Sequence, residues 1–229
     1  METTTFSRET LSSRVCGQLR HEILKGTIRA GERLSEHVIA ERFGVSPTPV
    51  REAFRLLTND GLVQYVDRRG VHVIDLGERE IFQAFSVRSV LEREALREAL
   101  VHMNDADKKR LMELAERTEN ARGKPAHVLL EIDRQFHGFF VDRSRNVWLK
   151  EFSGRVSNVL TVARLDLFNA PDLDTLIAEH VAIAQAVLDD DFSRADAALA
   201  AHIRRVRDNA ISARKRLAET AGASEKGDA

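Results

Sequence analysis

Between Leu34 and Val73 the glycines and prolines favour one arrangement of secondary structure. The run reads Leu-Ser-Glu, a short amphipathic stretch, Gly44, then Val-Ser-Pro-Thr-Pro-Val-Arg-Glu-Ala, a second amphipathic stretch, Gly61, and two β-rich runs flanking Arg68-Arg69-Gly70. Ser35 stands at a helix N-cap, where a hydroxyl can accept from the unpaired amides of the first turn. Val38, Ile39 and Phe43 follow with helical spacing and predict one apolar face. Gly44 falls where a helix ends and a positive φ is often needed. Ser46 repeats the N-cap, and Pro47 sits at the first helical position, where a missing N–H costs little. Val50, Phe54 and Leu57 make the next inward stripe, and Asp60-Gly61 stops that helix. Leu62 to Tyr65 and Val71 to Ile74 pattern as strands, with Arg68-Arg69-Gly70 as the hairpin tip.

Helix, tight turn, helix and β-ribbon is the layout of a winged helix-turn-helix. Thr48, Arg51 and Arg55 fall on the exposed side of the second helix, at the end that enters a major groove in such motifs. Arginine there can grip guanine O6 and N7, and threonine can meet a phosphate or a thymine methyl. Ser46 at the helix start, His37 at the start of the preceding helix, and Arg69 and Gly70 at the ribbon tip complete the expected set of contacts to double-stranded DNA. A surface helix pair with a solvated basic turn is the competing reading, and the two caps, the Gly44 turn and the basic ribbon together weigh against it.

These residues resemble the DNA-binding domain of GntR-family transcription regulators. The resemblance begins upstream, at Arg20-His21-Glu22-Ile23-Leu24-Lys25-Gly26-Thr27-Ile28-Arg29-Ala30-Gly31-Glu32-Arg33-Leu34, and covers about residues 11–75. It implies a first helix, a glycine turn and the lead into helix two. Many members of the family carry arginine where this chain has Pro47, so that contact is not carried over, and operator preference is the property it puts in question.

At 229 residues, two domains are the natural expectation, with 1–77 binding DNA. One cysteine, Cys16, excludes an internal disulfide and suits a reducing compartment. The start, Met-Glu-Thr-Thr-Thr, lacks the basic and apolar regions of a secretory signal, and no apolar run approaches the ~20 residues that span a membrane. The expected setting is therefore the cytoplasm, with no membrane partner. Net charge is −1; residues 1–77 hold 11 Lys and Arg against 10 Asp and Glu, and the remainder 24 against 26. The DNA argument thus rests on where arginines stand, not on bulk charge.

Beyond Asp75-Leu76-Gly77 the pattern becomes helical. Apolar residues at i, i+3, i+4 and i+7 predict helices over 78–102, 105–122, 126–142, 146–168, 172–189 and 192–218. Asn104-Asp105, Pro125, Asn146, Pro171-Asp172 and Asp189-Asp190-Asp191 punctuate them. The fold class expected is mainly α: a winged helix-turn-helix followed by an antiparallel six-helix bundle over 78–218, with a frayed tail over 219–229. Asp133 and His137 are four apart, hence on one helix face, and Phe136 and Phe140 beside them turn that face inward. With His180 and His202 they form three imidazoles and one carboxylate, a sound donor set for a divalent transition metal. Each histidine alone is more often a satisfied core or surface residue, and His21, His102 and His127 show no partner pattern, whereas His72, which follows the ribbon tip, can reach a phosphate as His37 can.

The helical region also looks like the FCD ligand-binding domain of the FadR subfamily of these regulators, nearest its six-helix VanR-like branch, over about residues 80–207. The resemblance rests on Asp133-Arg-Gln-Phe-His137, on Glu179-His180 followed by Ile183 and Ala186, and on Ala201-His202. It implies that Asp133, His137, His180 and His202 ligate a metal such as Zn, Ni, Mn or Fe. It also implies that Arg88 helps bind a small carboxylate effector, although Arg88 can equally pair with Glu92 on the helix surface. Asn158, a polar residue among Val156, Val159 and Leu160, is a second pocket candidate. The function expected is a homodimeric repressor on a palindromic operator, modulated by an organic acid at the metal. Two alternatives are a sensor for which the ion itself is the effector and a metal-dependent hydrolase with a DNA-binding appendage. Nothing in the chain matches a catalytic motif, so no enzymatic activity is expected.

Overall fold

The computed structural model describes residues 10–165 and 173–227, without the side chains of 221–227. The chain divides into two compact units, Met1–Asp75 and Leu76–Ala229.

The first unit opens with α1 (Leu11–Lys25), capped by the Thr10 hydroxyl, which accepts from the Ser13 amide at 3.2 Å, and closed by Gly26 at φ 78°. A two-residue strand, β1 (Arg33–Leu34), precedes α2 (Glu36–Phe43). Gly44 ends α2 at φ 63°, and α3 (Pro47–Asn59) begins at Pro47 after Ser46. Ser35 and Ser46 occupy N-cap positions with extended backbone, but neither hydroxyl takes a capping amide, which corrects the expectation for Ser35. Ile39 is buried as expected, whereas Val38 is 57% exposed. An eight-residue helix presents a stripe barely two turns long, and Ile39 and Ala40 fill it. Leu19 and Ile23 of α1 pack with Val50, Phe54 and Leu57 of α3, all fully buried.

The ribbon is β2 (Val63–Val66) and β3 (Gly70–Val73), antiparallel with Gln64 opposite His72. β1 adds on the other edge of β3, pairing Arg33 with His72, so the sheet order is β1-β3-β2. Gly70 takes φ 88° and Arg68 φ 58°, the left-handed conformations that let so short a tip close.

The second unit holds six α-helices among the described residues: α4 (Glu78–Leu100), α5 (Asp105–Glu116), α6 (Ala126–Ser144), α7 (Val147–Leu165), α8 (Leu173–Leu188) and α9 (Phe192–Gly227). A 3₁₀ turn, Arg117–Ala121, continues α5, which is why the sequence pattern ran unbroken to 122. Side chains set the boundaries. Asn104 and Asp107 cap each other's amides at 2.9 and 3.2 Å, and Asn146 Oδ1 accepts from Trp148 and Leu149 at the start of α7. Asp191 accepts from the Arg194 amide at the start of α9. The expected helix limits at 168 and 172, and the Pro171-Asp172 break, lie outside the described residues. α9 runs to Gly227, past the point at 219 where the sequence reading places a frayed tail. α4 packs on α6, α7 and α9, and α8 packs on α5 and α9, around Phe85, Leu96, Phe136, Phe140 and Ile183.

Two glycines test the backbone logic. Gly17 lies inside α1 and Gly44 ends α2, and a Cβ at either would meet nothing within 4 Å. Gly17→Ala should raise stability by ~0.5–1 kcal/mol by removing the helix penalty of glycine. Gly44→Ala should lower it by ~1–2 kcal/mol, because φ 63° strains any Cβ. Urea denaturation of the full chain reads both, and shifts of the same sign would refute the assignment.

Candidate metal centre and DNA-facing helix

Asp133 and His137 lie one turn apart on α6, His180 in the middle of α8 and His202 on α9. All four are buried, and one ligand atom from each lies within 4.8 Å of the others. His137 Nε2 is 3.1 Å from His202 Nε2, and Asp133 Oδ1 is 3.6 Å from both His137 Nε2 and His180 Nε2. Packing fixes the rings: Phe136 stacks on His180 with centroids 4.1 Å apart, and His137 stacks on His202 at 4.9 Å.

The outward nitrogens each face a polar group from another element. His137 Nδ1 lies 2.8 Å from Glu92 Oε2, His202 Nδ1 2.7 Å from Glu179 Oε2, and His180 Nδ1 3.1 Å from the Thr118 hydroxyl. A carboxylate can only accept, so Glu179 assigns the N–H of His202 to Nδ1. Glu92, near His137 Nδ1 but outside hydrogen-bond geometry, favours the same tautomer there, and both Nε2 lone pairs then point inward. Two such lone pairs 3.1 Å apart repel unless a cation, whether proton or metal ion, lies between them. Asp133 Oδ1 and His180 Nε2 are buried without a hydrogen-bond partner. Such orphans are costly in a bundle core, and three imidazole nitrogens with one carboxylate oxygen suit a divalent transition ion. The residues present fit a metal.

Electrostatics keep three of the four donors in ligating form. Burial opposes the Asp133 carboxylate, but Arg164 at 2.8 Å, His137 and Arg88 outweigh it and hold its pKa well below the usual range. Burial and the neighbouring His202 and His137 push His180 well down, and burial brings His202 to about 4 against the pull of Glu179. His137 goes the other way: burial lowers it, and Glu92 more than compensates.

A cavity of about 190 Å³ opens beside this cluster. Asp133, His137, Arg88, Glu92 and Arg164 form its buried end, and Arg134, Asp142, Lys150 and Gly154 its exposed mouth. Arg88 donates from Nε to Glu92 Oε1 at 2.6 Å and lies 3.8 Å from Asp133 Oδ2. The pairing of Arg88 with Glu92 read from the sequence is therefore present, but it is buried and not a surface bridge. Asn158 is half-buried and is not among the residues lining the cavity. Ser153, Ser157, Thr161 and Arg164, spaced along one face of α7, line it instead.

In the first unit, His37, Ser46, Thr48, Arg51, Arg55, Arg69 and Gly70 are all exposed. Arg51 Nε donates to Glu36 Oε2 at 2.7 Å and Arg55 Nη1 to Glu52 Oε1 at 2.8 Å. Thr48, Arg51 and Arg55 share the outer face of α3, opposite buried Val50, Phe54 and Leu57.

Residues 11–73 match the model of bacterial regulatory proteins of the gntR family, and residues 83–205 match the FCD domain. The chain belongs to the GntR family. This GntR protein is 31% identical over 173 residues to the HTH-type transcriptional regulator YdhC of Bacillus subtilis (strain 168), covering 74% of this chain and 77% of that one. A shorter match, 40% over 87 residues, covers 38% of this chain and 35% of the gluconate operon transcriptional repressor of the same organism. Its fold is that of E. coli McbR/YncC, with a TM-score of 0.75 at 23% identity over 89% of this chain and 98% of that one. This GntR protein is thus a DNA-binding transcription regulator and not an enzyme.

Sequence reasoning missed the supporting residues of the FCD domain. Arg164 follows Thr161 and Ser157 on one helix face, a periodicity visible in retrospect. Thr118 and Glu179 carry no local signal, since each meets a histidine from another helix. Removing one partner of a buried ion pair strands the other, at a cost of about 3–5 kcal/mol. Asp133→Ala, measured by urea unfolding of chelator-treated protein, should show a loss of that size, because Arg164 and Arg88 are left facing no carboxylate at that point. A loss under ~1 kcal/mol would mean that solvent reaches both arginines.

Proposed function

We propose that this protein is a repressor whose operator binding is modulated by a small organic acid at a metal site in the FCD domain. The observation carrying the reading is the convergence of three imidazole nitrogens and the orphaned Asp133 Oδ1 at the buried, arginine-lined end of a cavity. Asp133, His137, His180 and His202 would hold the ion, which supplies a positive coordination point for an anionic oxygen. Arg88 and Arg164 add positive charge, and Arg88 retains N–H groups able to meet a carboxylate. A cavity near 150 Å³ accommodates benzene, so about 190 Å³ suits a short-chain acid and not a fatty one.

The DNA-facing residues would be His37, Ser46, Thr48, Arg51, Arg55, Arg69 and Gly70, with 1–77 as the DNA-binding domain and 78–218 as the sensing domain. One recognition helix reads few base pairs, so two copies related by a two-fold axis would read a palindromic operator. The setting proposed is the cytoplasm, in accord with the lack of any helix, among the described residues, long and apolar enough to cross a membrane. Residues 74–77 alone separate β3 from α4, the helix that carries Arg88 and Glu92. A ligand that favours one disposition of α4 can shift DNA affinity only by its differential affinity for the two states, ~1–3 kcal/mol.

Arg51 must leave Glu36 to reach a base. Arg51→Ala should weaken operator binding by about 1–3 kcal/mol and relax preference at one base pair. Arg69→Ala should weaken all sequences alike and flatten the salt dependence. Unchanged operator affinity in Arg51→Ala would displace α3 from the groove.

His180→Ala should lower metal content and abolish the response of DNA binding to short-chain carboxylates. Chelator-stripped wild type should behave in the same way, which separates metal loss from misfolding. An undiminished response in either metal-free sample would sink the mechanism.

A further inference from the structure

Two helical glycines face the cavity. Gly138 on α6 and Gly154 on α7 both line it, and a Cβ built on either would meet nothing within 4 Å. Glycine inside a helix costs stability relative to alanine, and close packing of a neighbouring backbone is its usual reason. No neighbour approaches here, so the missing side chains leave clearance within the cavity at half-buried Gly138 and at its exposed mouth beside Gly154. The wall beside them is hydroxylic. Ser153, Ser157 and Thr161 recur at four-residue spacing down α7 and all line the same space. The Thr161 hydroxyl donates to the Ser157 carbonyl at 2.8 Å, which leaves its oxygen lone pairs as acceptors. The Ser153 hydroxyl is buried without a hydrogen-bond partner. An unpaired hydroxyl in a roomy, polar-walled cavity is a group waiting for a polar ligand atom.

Resting on the reading that the buried end takes a carboxylate, we propose that the space cleared by Gly138 and Gly154 and walled by Ser153, Ser157 and Thr161 is a subsite for hydroxyl groups. The effector class is then a short-chain hydroxy acid. Its carboxylate lies toward Arg88, Arg164 and the metal ligands, and its hydroxylated body lies along α7. A plain aliphatic acid would leave the serine and threonine hydroxyls unpaired and lose affinity.

The test is calorimetric titration of the full-length protein, as purified, with acetate, butyrate and threonate, the last a four-carbon acid with three hydroxyls. Threonate should bind at least about tenfold tighter than butyrate, the size of one well-made hydrogen bond. Ser153→Ala should shrink that ratio. Gly138→Ala, which has open space for its methyl and a helix to gain from it, should weaken threonate at least about tenfold more than acetate. Butyrate binding as tightly as threonate, or threonate binding Gly138→Ala as it binds wild type, would overturn the subsite while leaving the carboxylate reading intact. If none of the three acids binds, the carboxylate reading itself falls and the subsite falls with it.

Discussion

The FCD domain of this protein is organised around one carboxylate. Asp133 sends Oδ2 to Arg164 at 2.8 Å and leaves Oδ1 bare before two imidazoles. Taking such a group out of water costs several kcal/mol, and the cost is met only when its neighbours are fixed. Arg164 from α7, Arg88 from α4 and three histidines from α6, α8 and α9 are those neighbours. Around the cluster, Asp133, Glu92 and Glu179 are matched by Arg88, Arg164 and Arg205. With neutral imidazoles these charges cancel without an ion, the Glu179–Arg205 pair being half-buried and the others buried. A divalent cation held by neutral imidazoles would leave the centre net positive, and an anionic ligand would answer that excess.

How much of this was legible depends on whether a role is local. Six bundle helices follow from apolar periodicity, and the Asp133–His137 face from a spacing of four. His180 and His202 could be chosen over the other histidines only through family resemblance, since spacing says nothing about two residues on different helices. The supporting shell was illegible for the same reason. Thr118 meets His180 across 62 residues of chain, and Glu179 points not along its own helix but to His202. In the first unit the turns were readable because Gly44 and Pro47 state their own dihedrals. β1 was not, because a two-residue strand is defined by its partner β3 and by nothing in itself. Asn158 illustrates the converse: a polar residue in an apolar stretch is conspicuous, yet the cavity wall is built from the adjacent Ser157 and its helical neighbours.

The arginines of α3 carry a further consequence. The first unit has almost no net charge, and Arg51 and Arg55 are both engaged by glutamates. If α3 enters the groove as proposed, these contacts would break on binding, which would reduce non-specific attraction to phosphate. A cognate site that offers bidentate acceptors would repay the exchange, and a random one would repay it less. Pairing of this kind would give up affinity in exchange for discrimination.

The same logic of exchange applies at Arg88. In the structure its Nε is held by Glu92 Oε1, while Glu92 Oε2 faces His137. Glu92 therefore faces two groups at once, the Arg88 guanidinium, which would meet the ligand, and the His137 ring, which would meet the metal. On the proposed reading, an anion drawing on Arg88 would weaken the hold of Glu92 on it and shift the carboxylate toward His137. A cation held at His137 Nε2 would polarise the ring and make its Nδ1–H a stronger donor facing Glu92. Both would move Glu92 in the same direction, away from Arg88. Both residues sit on α4, one turn apart. Ligand and metal would thus act on one element through one side chain, which requires no longer pathway through the bundle.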